Sequence, residues 1–80
     1  MTLRHMRILA AVVQQGSVTK AAESLHLAQP SISLALRELD EYYGVQLFAR
    51  VGRRLSPTPC GREFYGYALH IISMVDELDT

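Results

Sequence analysis

The stretch Ala21–Leu39, AAESLHLAQPSISLALREL, decides the fold. It contains two short runs with apolar residues at helical spacing, and Leu27–Gln29 form a joint between them. Pro30 suits the first turn of the second run, because its missing N–H would be unpaired there in any case. The stretch therefore predicts two helices joined by a tight turn, the arrangement of a helix-turn-helix.

The second of these helices has two different faces. Apolar residues recur on one face at steps of three and four, and we expect them to point into the core: Ile32, Ala35, Leu36, Leu39 and Tyr43. The opposite face presents Gln29, Ser33, Leu34 and Arg37. Small and polar side chains at the N-terminal end of such a helix are suited to contact base edges in the DNA major groove.

Capping signals outline the other helices. Thr2 is placed to cap a first helix that ends at Gly16, and Ser17 is placed to cap the next helix. Thr58 begins a last helix that extends to about Leu78. The predicted inner stripe of the first helix comprises Leu3, Met6, Ala10 and Val13, with Ile8 and Leu9 beside it.

The segment before the last helix predicts a small β-hairpin. Val45–Phe48 supply the first strand and Leu55–Ser56 the second, with Gly52 in the turn. The tip carries Arg50, Arg53 and Arg54, which can reach phosphates or a minor groove beside the helix-turn-helix. A solvated surface loop is the alternative interpretation of this tip.

Five short motifs occur along the chain in order. They are Ala21-Ala22-x-x-Leu25, Gln29-Pro30-Ser31-x-Ser33, Leu36-x-x-Leu39, Gly44-Val45-x-Leu47-Phe48-x-Arg50 and Thr58-x-x-Gly61. Together the motifs resemble the N-terminal DNA-binding domain of LysR-type transcriptional regulators, over the whole chain. The resemblance implies a mainly α winged helix-turn-helix with three helices, a short two-stranded β wing and a long C-terminal linker helix. It divides the chain into residues 1–57, which bind DNA, and residues 58–80, which link and dimerise.

The predicted DNA contacts come from the second helix, the recognition helix and the wing. They are Ser17, Thr19, Lys20, Gln29, Pro30, Ser31, Ser33, Leu34, Arg37, Arg50, Arg53 and Arg54. A helix cap and a solvated face are an equal alternative for the first three. Family members often have a longer polar or basic residue where this chain has Leu34, so Leu34 either contacts a thymine methyl or gives up a phosphate contact. Arg37 either contacts a phosphate or pairs with Glu41. The resemblance also gives Arg50 an alternative role, as a brace for the wing.

The last helix carries more apolar surface than a three-helix core can cover. Its apolar positions favour dimerisation through Phe64, Tyr65, Ala68, Leu69, Ile71, Ile72, Val75 and Leu78. Packing within the monomer is the alternative. The resemblance also implies a linker helix that pairs between protomers, and hence a homodimer on a roughly palindromic double-stranded DNA operator.

The 80 residues allow one small domain, and the formal net charge is zero. Zero net charge would argue against a nucleic-acid partner in a chain whose positive and negative charges were evenly spread, but the distribution here is uneven. Residues 42–62 contain four arginines and no acid, whereas residues 38–41 contain three acids. A local basic face is therefore possible on a neutral chain.

The remaining residues point away from catalysis and metal binding. The single Cys60 excludes an internal disulfide, and His5, His26 and His70 are far apart in the sequence. The chain has no membrane-spanning run and no signal-peptide pattern, so we expect a cytoplasmic DNA-binding protein with no cofactor in this domain and no enzymatic activity.

The resemblance also implies a C-terminal domain that binds a small-molecule effector. We therefore expect the chain to be a domain cut from a longer protein or a truncated relative. Three alternatives remain open at this point. They are a protein-interaction module, a small enzyme, and a winged helix of another family such as the multiple-antibiotic-resistance type.

Overall fold

The computed structural model describes all 80 residues and contains four helices and one two-stranded sheet. The elements in chain order are α1 (Leu3–Gln15), α2 (Val18–Leu25), α3 (Gln29–Tyr43), β1 (Phe48–Val51), β2 (Arg54–Pro57) and α4 (Pro59–Leu78). The prediction of a mainly α winged helix-turn-helix is confirmed. None of the helices combines the length and the apolar character needed to cross a membrane.

Local signals in the sequence set the helix ends. The Thr2 hydroxyl accepts a hydrogen bond from the His5 N–H at 3.4 Å, and the His5 Nδ1 accepts one from the Thr2 N–H at 3.2 Å. Gly16 ends α1 in the left-handed region with a φ of 68°. The N-cap of α3 is Ala28, whose methyl group cannot accept a hydrogen bond, so α3 starts without a side-chain cap.

The core lies where α1, α2, α3 and the first half of α4 meet. The largest fully buried side chains are Ile8, Leu9, Val12, Ile32, Leu39 and Leu47. Ala21 and Ala22 are also buried, and their small side chains let α2 approach its neighbours closely.

Two predicted core positions lie at the edge of the core, and a third lies outside it. Leu3 and Val13 are only partly buried, whereas Val12, absent from the predicted stripe, is fully buried. The reason is that α1 packs against helices on more than one side, so its buried face is wider than a single stripe. The prediction that Tyr43 points into the core is wrong, because it is exposed at the C-terminal end of α3. Its ring meets Phe64 edge-on there, with ring centroids 5.1 Å apart.

The hairpin forms, but its first strand starts later than predicted. Phe48 pairs with Pro57 and Val51 with Arg54, which leaves Gly52 and Arg53 as a two-residue turn. The backbone of Leu47 is bonded outside the sheet, because its N–H donates to the Asp40 Oδ1 at 3.1 Å and its carbonyl accepts from the Thr58 N–H at 3.0 Å. Residues 45–47 therefore connect α3 to the wing and are not a strand.

The start of α4 is hydrogen-bonded to residues 45–47, which connect α3 to the wing. We call this region the α4 junction (Gln46, Leu47, Thr58 and Gly61). The Thr58 hydroxyl donates to the Gln46 carbonyl at 2.6 Å and accepts from the Gly61 N–H at 3.0 Å. Gly61 is buried, and a Cβ added there would overlap the Leu47 carbonyl oxygen. The absence of a side chain at Gly61 is therefore what lets α4 lie directly on the backbone of the connection.

Candidate nucleic-acid interface

A polar groove lies where the start of α2, the start of α3 and the wing meet. Its walls are formed by Gly16, Ser17, Val18, Thr19, Gln29, Ser33, Arg50, Arg53 and Leu55. Six of the residues predicted to contact DNA are among them, although they come from three separate parts of the sequence. We refer to this site below as the polar groove. No acidic side chain lines it.

The N-terminal end of α3 forms one wall of the polar groove. Gln29, Pro30 and Ser33 are exposed, and Leu34 keeps 46% of its surface exposed on the neighbouring side of the helix. Gln29 and Ser33 make no side-chain hydrogen bond within the chain. The first turn also has no acidic residue, so the positive end of the α3 dipole is not neutralised from within the chain.

The wing supplies the positive charge of the polar groove. Arg50 lies on β1 opposite Leu55, and Arg53 occupies the turn. The chain contains one ion pair, Arg7–Asp76, and one hydrogen bond between a histidine and a carboxylate, His5–Glu38. Neither includes a wing arginine. Arg54 is exposed beside the groove, and its guanidinium lies next to Gly16. A Cβ added at Gly16 would be 3.6 Å from the Arg54 Nη2.

The start of α2 forms the third wall. Ser17 is the cap of α2, since its hydroxyl accepts from the Lys20 N–H at 3.3 Å. Its hydroxyl hydrogen still remains available to donate into the groove. Thr19 also lines the groove, whereas Lys20 is exposed outside its lining.

Four other predicted contact residues also lie outside the lining of the polar groove. Pro30 and Arg37 are exposed on α3, Ser31 is half-buried, and Leu34 faces away toward α1. The alternative in which Arg37 pairs with Glu41 is wrong, because the two side chains form no ion pair. An exposed pair at this spacing gains too little energy to hold two long side chains in place.

The comparison with known proteins agrees with this geometry. The family described as bacterial regulatory helix-turn-helix protein, lysR family, matches residues 3–62. The chain belongs to the LysR family. It is 45% identical over 78 residues to the HTH-type transcriptional regulator BenM of Acinetobacter baylyi, covering 98% of this chain and 26% of BenM. The RuBisCO operon transcriptional regulator of Allochromatium vinosum is 38% identical over 78 residues, with the same coverage of 98% and 26%.

Solved structures of LysR-family relatives have the same fold. The BenM DNA-binding domain in complex with benA site 1 DNA superposes with a TM-score of 0.92 at 45% identity, covering 98% of this chain and 88% of that one. The CbnR DNA-binding domain in its DNA complex gives a TM-score of 0.92 at 29% identity, covering 99% and 91%. This LysR-family chain therefore corresponds to the DNA-binding domains of those proteins and spans about a quarter of the length of the full-length relatives.

The residues predicted to form a dimer interface divide between the core and the surface. Ala68 is 1% exposed and packs in the core, so the prediction is corrected at this position. The reason is that α4 lies along α1, fastened by the Arg7–Asp76 pair at 3.1 Å and by the Gln14 amide donating to the Tyr65 hydroxyl at 3.3 Å. Phe64, Tyr65 and Ile72 also pack partly against the core.

The outer side of α4 nevertheless remains apolar. Ile71 and Leu78 are exposed and Val75 is half-buried on this side, whereas Leu69, also exposed, lies on the other flank of α4 beside Ile72 and α1. Tyr67 and Met74 add exposed apolar surface, and an apolar depression is lined by Met1, Met6, Tyr43, Phe64, Tyr67, Ala68 and Ile71. Met1 and Tyr43 were not predicted in this region, because no helical periodicity links them to α4.

Residues with catalytic or ligating side chains are dispersed. No three His, Cys, Asp or Glu side chains are grouped so as to hold a metal ion, and Cys60 is an exposed free thiol. His5 has a structural role that the sequence analysis missed, because its Nε2 lies 3.0 Å from the Glu38 Oε1 and ties the start of α1 to α3. Only the spacing of Thr2 and His5, typical of a helix cap, was a signal for it.

Proposed function

We propose that this chain binds double-stranded DNA with sequence selectivity and is the DNA-reading part of a transcription regulator. The observation that carries the proposal is the polar groove, in which unpaired side chains of α2, α3 and the wing converge on one side of the recognition helix. Gln29 is suited to bond the edge of an adenine, and Leu34 to meet a thymine methyl group. These contacts place the N-terminal half of α3 in the major groove.

The wing and α2 hold the DNA backbone in this arrangement. Arg50 and Arg53 lie beside α3 with no carboxylate partner, so phosphates or the adjacent minor groove are their natural ligands. Ser17 and Thr19 donate hydroxyl hydrogen bonds to the same backbone, with Lys20 and Arg54 at the margin. Arg37 and Ser31 lie on α3 outside the polar groove and position the helix without reading bases.

We also infer that residues 58–80 form a linker helix through which two copies pair. The exposed apolar residues of α4 support this inference, because surfaces of this kind are rarely left uncovered. Two copies related by a twofold axis would read two half-sites of a palindromic operator. As the chain spans about a quarter of its relatives, the remainder of a full-length regulator would hold the small-molecule effector. We propose a cytoplasmic protein that acts by binding, without catalysis or a cofactor in this domain.

A binding titration tests the DNA proposal. The purified chain is titrated against labelled inverted-repeat duplexes of varied sequence and against a scrambled duplex, at about 50 and about 200 mM salt. We expect tighter binding to some duplexes than to the scrambled one, with affinity falling as salt rises. Equal affinity for all duplexes would reject sequence selectivity. No binding at low salt would favour a protein-interaction module.

Sedimentation tests the pairing of α4 separately. Ile71→Asp places a charge in the exposed apolar surface, and Ser73→Asp places the same charge on the opposite side of the same helix. We expect Ile71→Asp alone to convert the dimer to a monomer and to weaken binding to inverted repeats. If both variants sediment as the unmodified chain does, this surface is not the interface.

A further inference from the structure

The side of α3 that faces α1 has a groove of its own. Arg4 and His5 of α1 face Ser31, Leu34 and Glu38 of α3 across it. This α1 groove (Arg4, His5, Ser31, Leu34 and Glu38) and the polar groove therefore flank α3 on its two sides.

A helix inserted into the major groove has a phosphate backbone on each side. The major groove is about 12 Å wide and an α-helix with its side chains about 10–12 Å across, so residues beside the helix come within reach of both backbones. The wing arginines serve the side of the polar groove. On the other side, Leu34 of α3 carries no charge. Arg4 is the only residue lining the α1 groove that carries a permanent positive charge.

The Arg4 side chain makes no hydrogen bond and no ion pair within the chain. It lies in the first turn of α1, where a cation opposes the helix dipole, and that turn contains no acidic residue to offset it. Its side chain is exposed and forms no ion pair with a carboxylate of the chain. The acid in the same groove, Glu38, is already bonded to His5 at 3.0 Å. Arg4 is therefore a free cation held next to the recognition helix.

We propose that Arg4 binds a DNA phosphate on the α1 side of α3, on the strand opposite to the one held by the wing. The inference rests on the proposed DNA-binding function. It gives the recognition helix a charged anchor on each side, so that the orientation of α3 in the major groove is fixed from both backbones. Leu34, in the same groove, is left to contact bases.

The test compares Arg4→Ala with Arg7→Ala on an inverted-repeat duplex that the unmodified chain binds. Arg7 is one turn further along the same helix, is paired with Asp76 at 3.1 Å, and does not line the α1 groove. Each phosphate contact contributes about 0.9 to the slope of log K against log salt. We expect Arg4→Ala to lower the magnitude of this slope by about 0.9 for each protomer bound, and Arg7→Ala to leave it unchanged.

Two further variants separate charge from packing. Arg4→Lys keeps the charge and is expected to keep the slope. Leu34→Arg adds a charge to the same groove, so it is expected to restore the slope in the Arg4→Ala background. Thermal melting monitored by circular dichroism checks that each variant folds, and Leu34→Arg in the unmodified chain tests the groove even if Arg4→Ala does not fold.

The outcomes distinguish this inference from the proposed function. If the unmodified chain binds DNA selectively and Arg4→Ala matches it in affinity and in slope, the role of Arg4 is rejected and the proposed function stands. An equal slope change for Arg4→Ala and Arg7→Ala would show a general charge effect and also reject it. If the unmodified chain binds no duplex, the proposed function fails and the inference fails with it.

Discussion

The α4 junction and the polar groove are both rich in polar groups, but they use these groups in opposite ways. At the α4 junction the polar groups are satisfied within the chain, because Thr58 alone bonds to Gln46, Leu47 and Gly61. In the polar groove, Gln29 and Ser33 have no partner in the chain. Polar groups that are paired internally stabilise a fold, whereas exposed groups that converge without partners are suited to bind something else.

The same contrast explains how a neutral chain can present a basic face. Glu38 is bonded to His5 and Asp76 is paired with Arg7, and neither acid lines the polar groove. The wing arginines are left unopposed where they face α3. The free energy of unfolding and the affinity for DNA should therefore depend on different residues, and substitutions can test this separation.

The largest expected effect is on stability, at Gly61. Gly61→Ala places a methyl group on the Leu47 carbonyl oxygen, so α4 must shift off the connection. We expect the free energy of unfolding to fall by about 3 kcal/mol, which for a domain of this size lowers Tm by about 10 °C or more. Thermal unfolding at a fixed protein concentration measures the change.

Gly66 provides the matched control on the same helix. A Cβ at Gly66 has no atom within 4 Å, so Gly66→Ala should raise stability by about 0.5–1 kcal/mol through helix propensity. Similar melting of the two variants would mean that the α4 junction is less tightly packed than the structure shows. The contrast between the two regions would then be lost.

The next effect is on DNA binding, at Gln29. Gln29→Ala removes an exposed amide that has no partner in the chain, so Tm should stay within about 1 °C of the unmodified value, as for surface substitutions generally. Discrimination at one base pair of the bound site should fall by about 1–3 kcal/mol. Competition between duplexes that differ at single positions measures it. An equal loss on all duplexes would show that Gln29 touches only the backbone.

Thr58 should give a smaller effect on stability alone. Thr58→Ala removes the cap of α4 and the bond to the Gln46 carbonyl, which should cost about 1–2 kcal/mol in the free energy of unfolding. Thr58→Ser keeps the hydroxyl and should lose much less. Denaturant unfolding compares the two. If serine is as damaging as alanine, the methyl group and not the hydroxyl holds the α4 junction.

The elements could be predicted from the sequence because their signals are local. The caps at Thr2, Ser17 and Thr58 and the stop at Gly16 depend on residues a few positions apart, and each lies where it was predicted. The recognition helix likewise follows from the apolar spacing of Ile32, Ala35 and Leu39, all of which are buried.

Tertiary contacts account for what the sequence did not reveal. The sequence predicts the first strand too early because nothing in Val45–Leu47 shows that Asp40 and Thr58 bond the backbone of Leu47. Ala68 was assigned to a dimer interface because its spacing along α4 is the same whether α1 or a partner covers it. The polar groove could not be predicted for the same reason, since its three walls come from elements that only the tertiary contacts bring together. The residue types were predictable from the sequence, but their convergence was not.

The smallest effect distinguishes charge from contact in the wing. Arg53 lies in the hairpin turn, lines the polar groove and has no ion-pair partner, so Arg53→Ala should leave stability unchanged. Binding to every duplex should weaken alike, with the slope of log K against log salt falling by about 0.9 for each protomer. Arg53→Lys keeps the charge and should keep the slope, with some loss of affinity because lysine lacks the fork of a guanidinium. If Arg53→Ala instead changed base preference, the wing would be reading the minor groove. The polar groove would then read sequence from the wing as well as from α3.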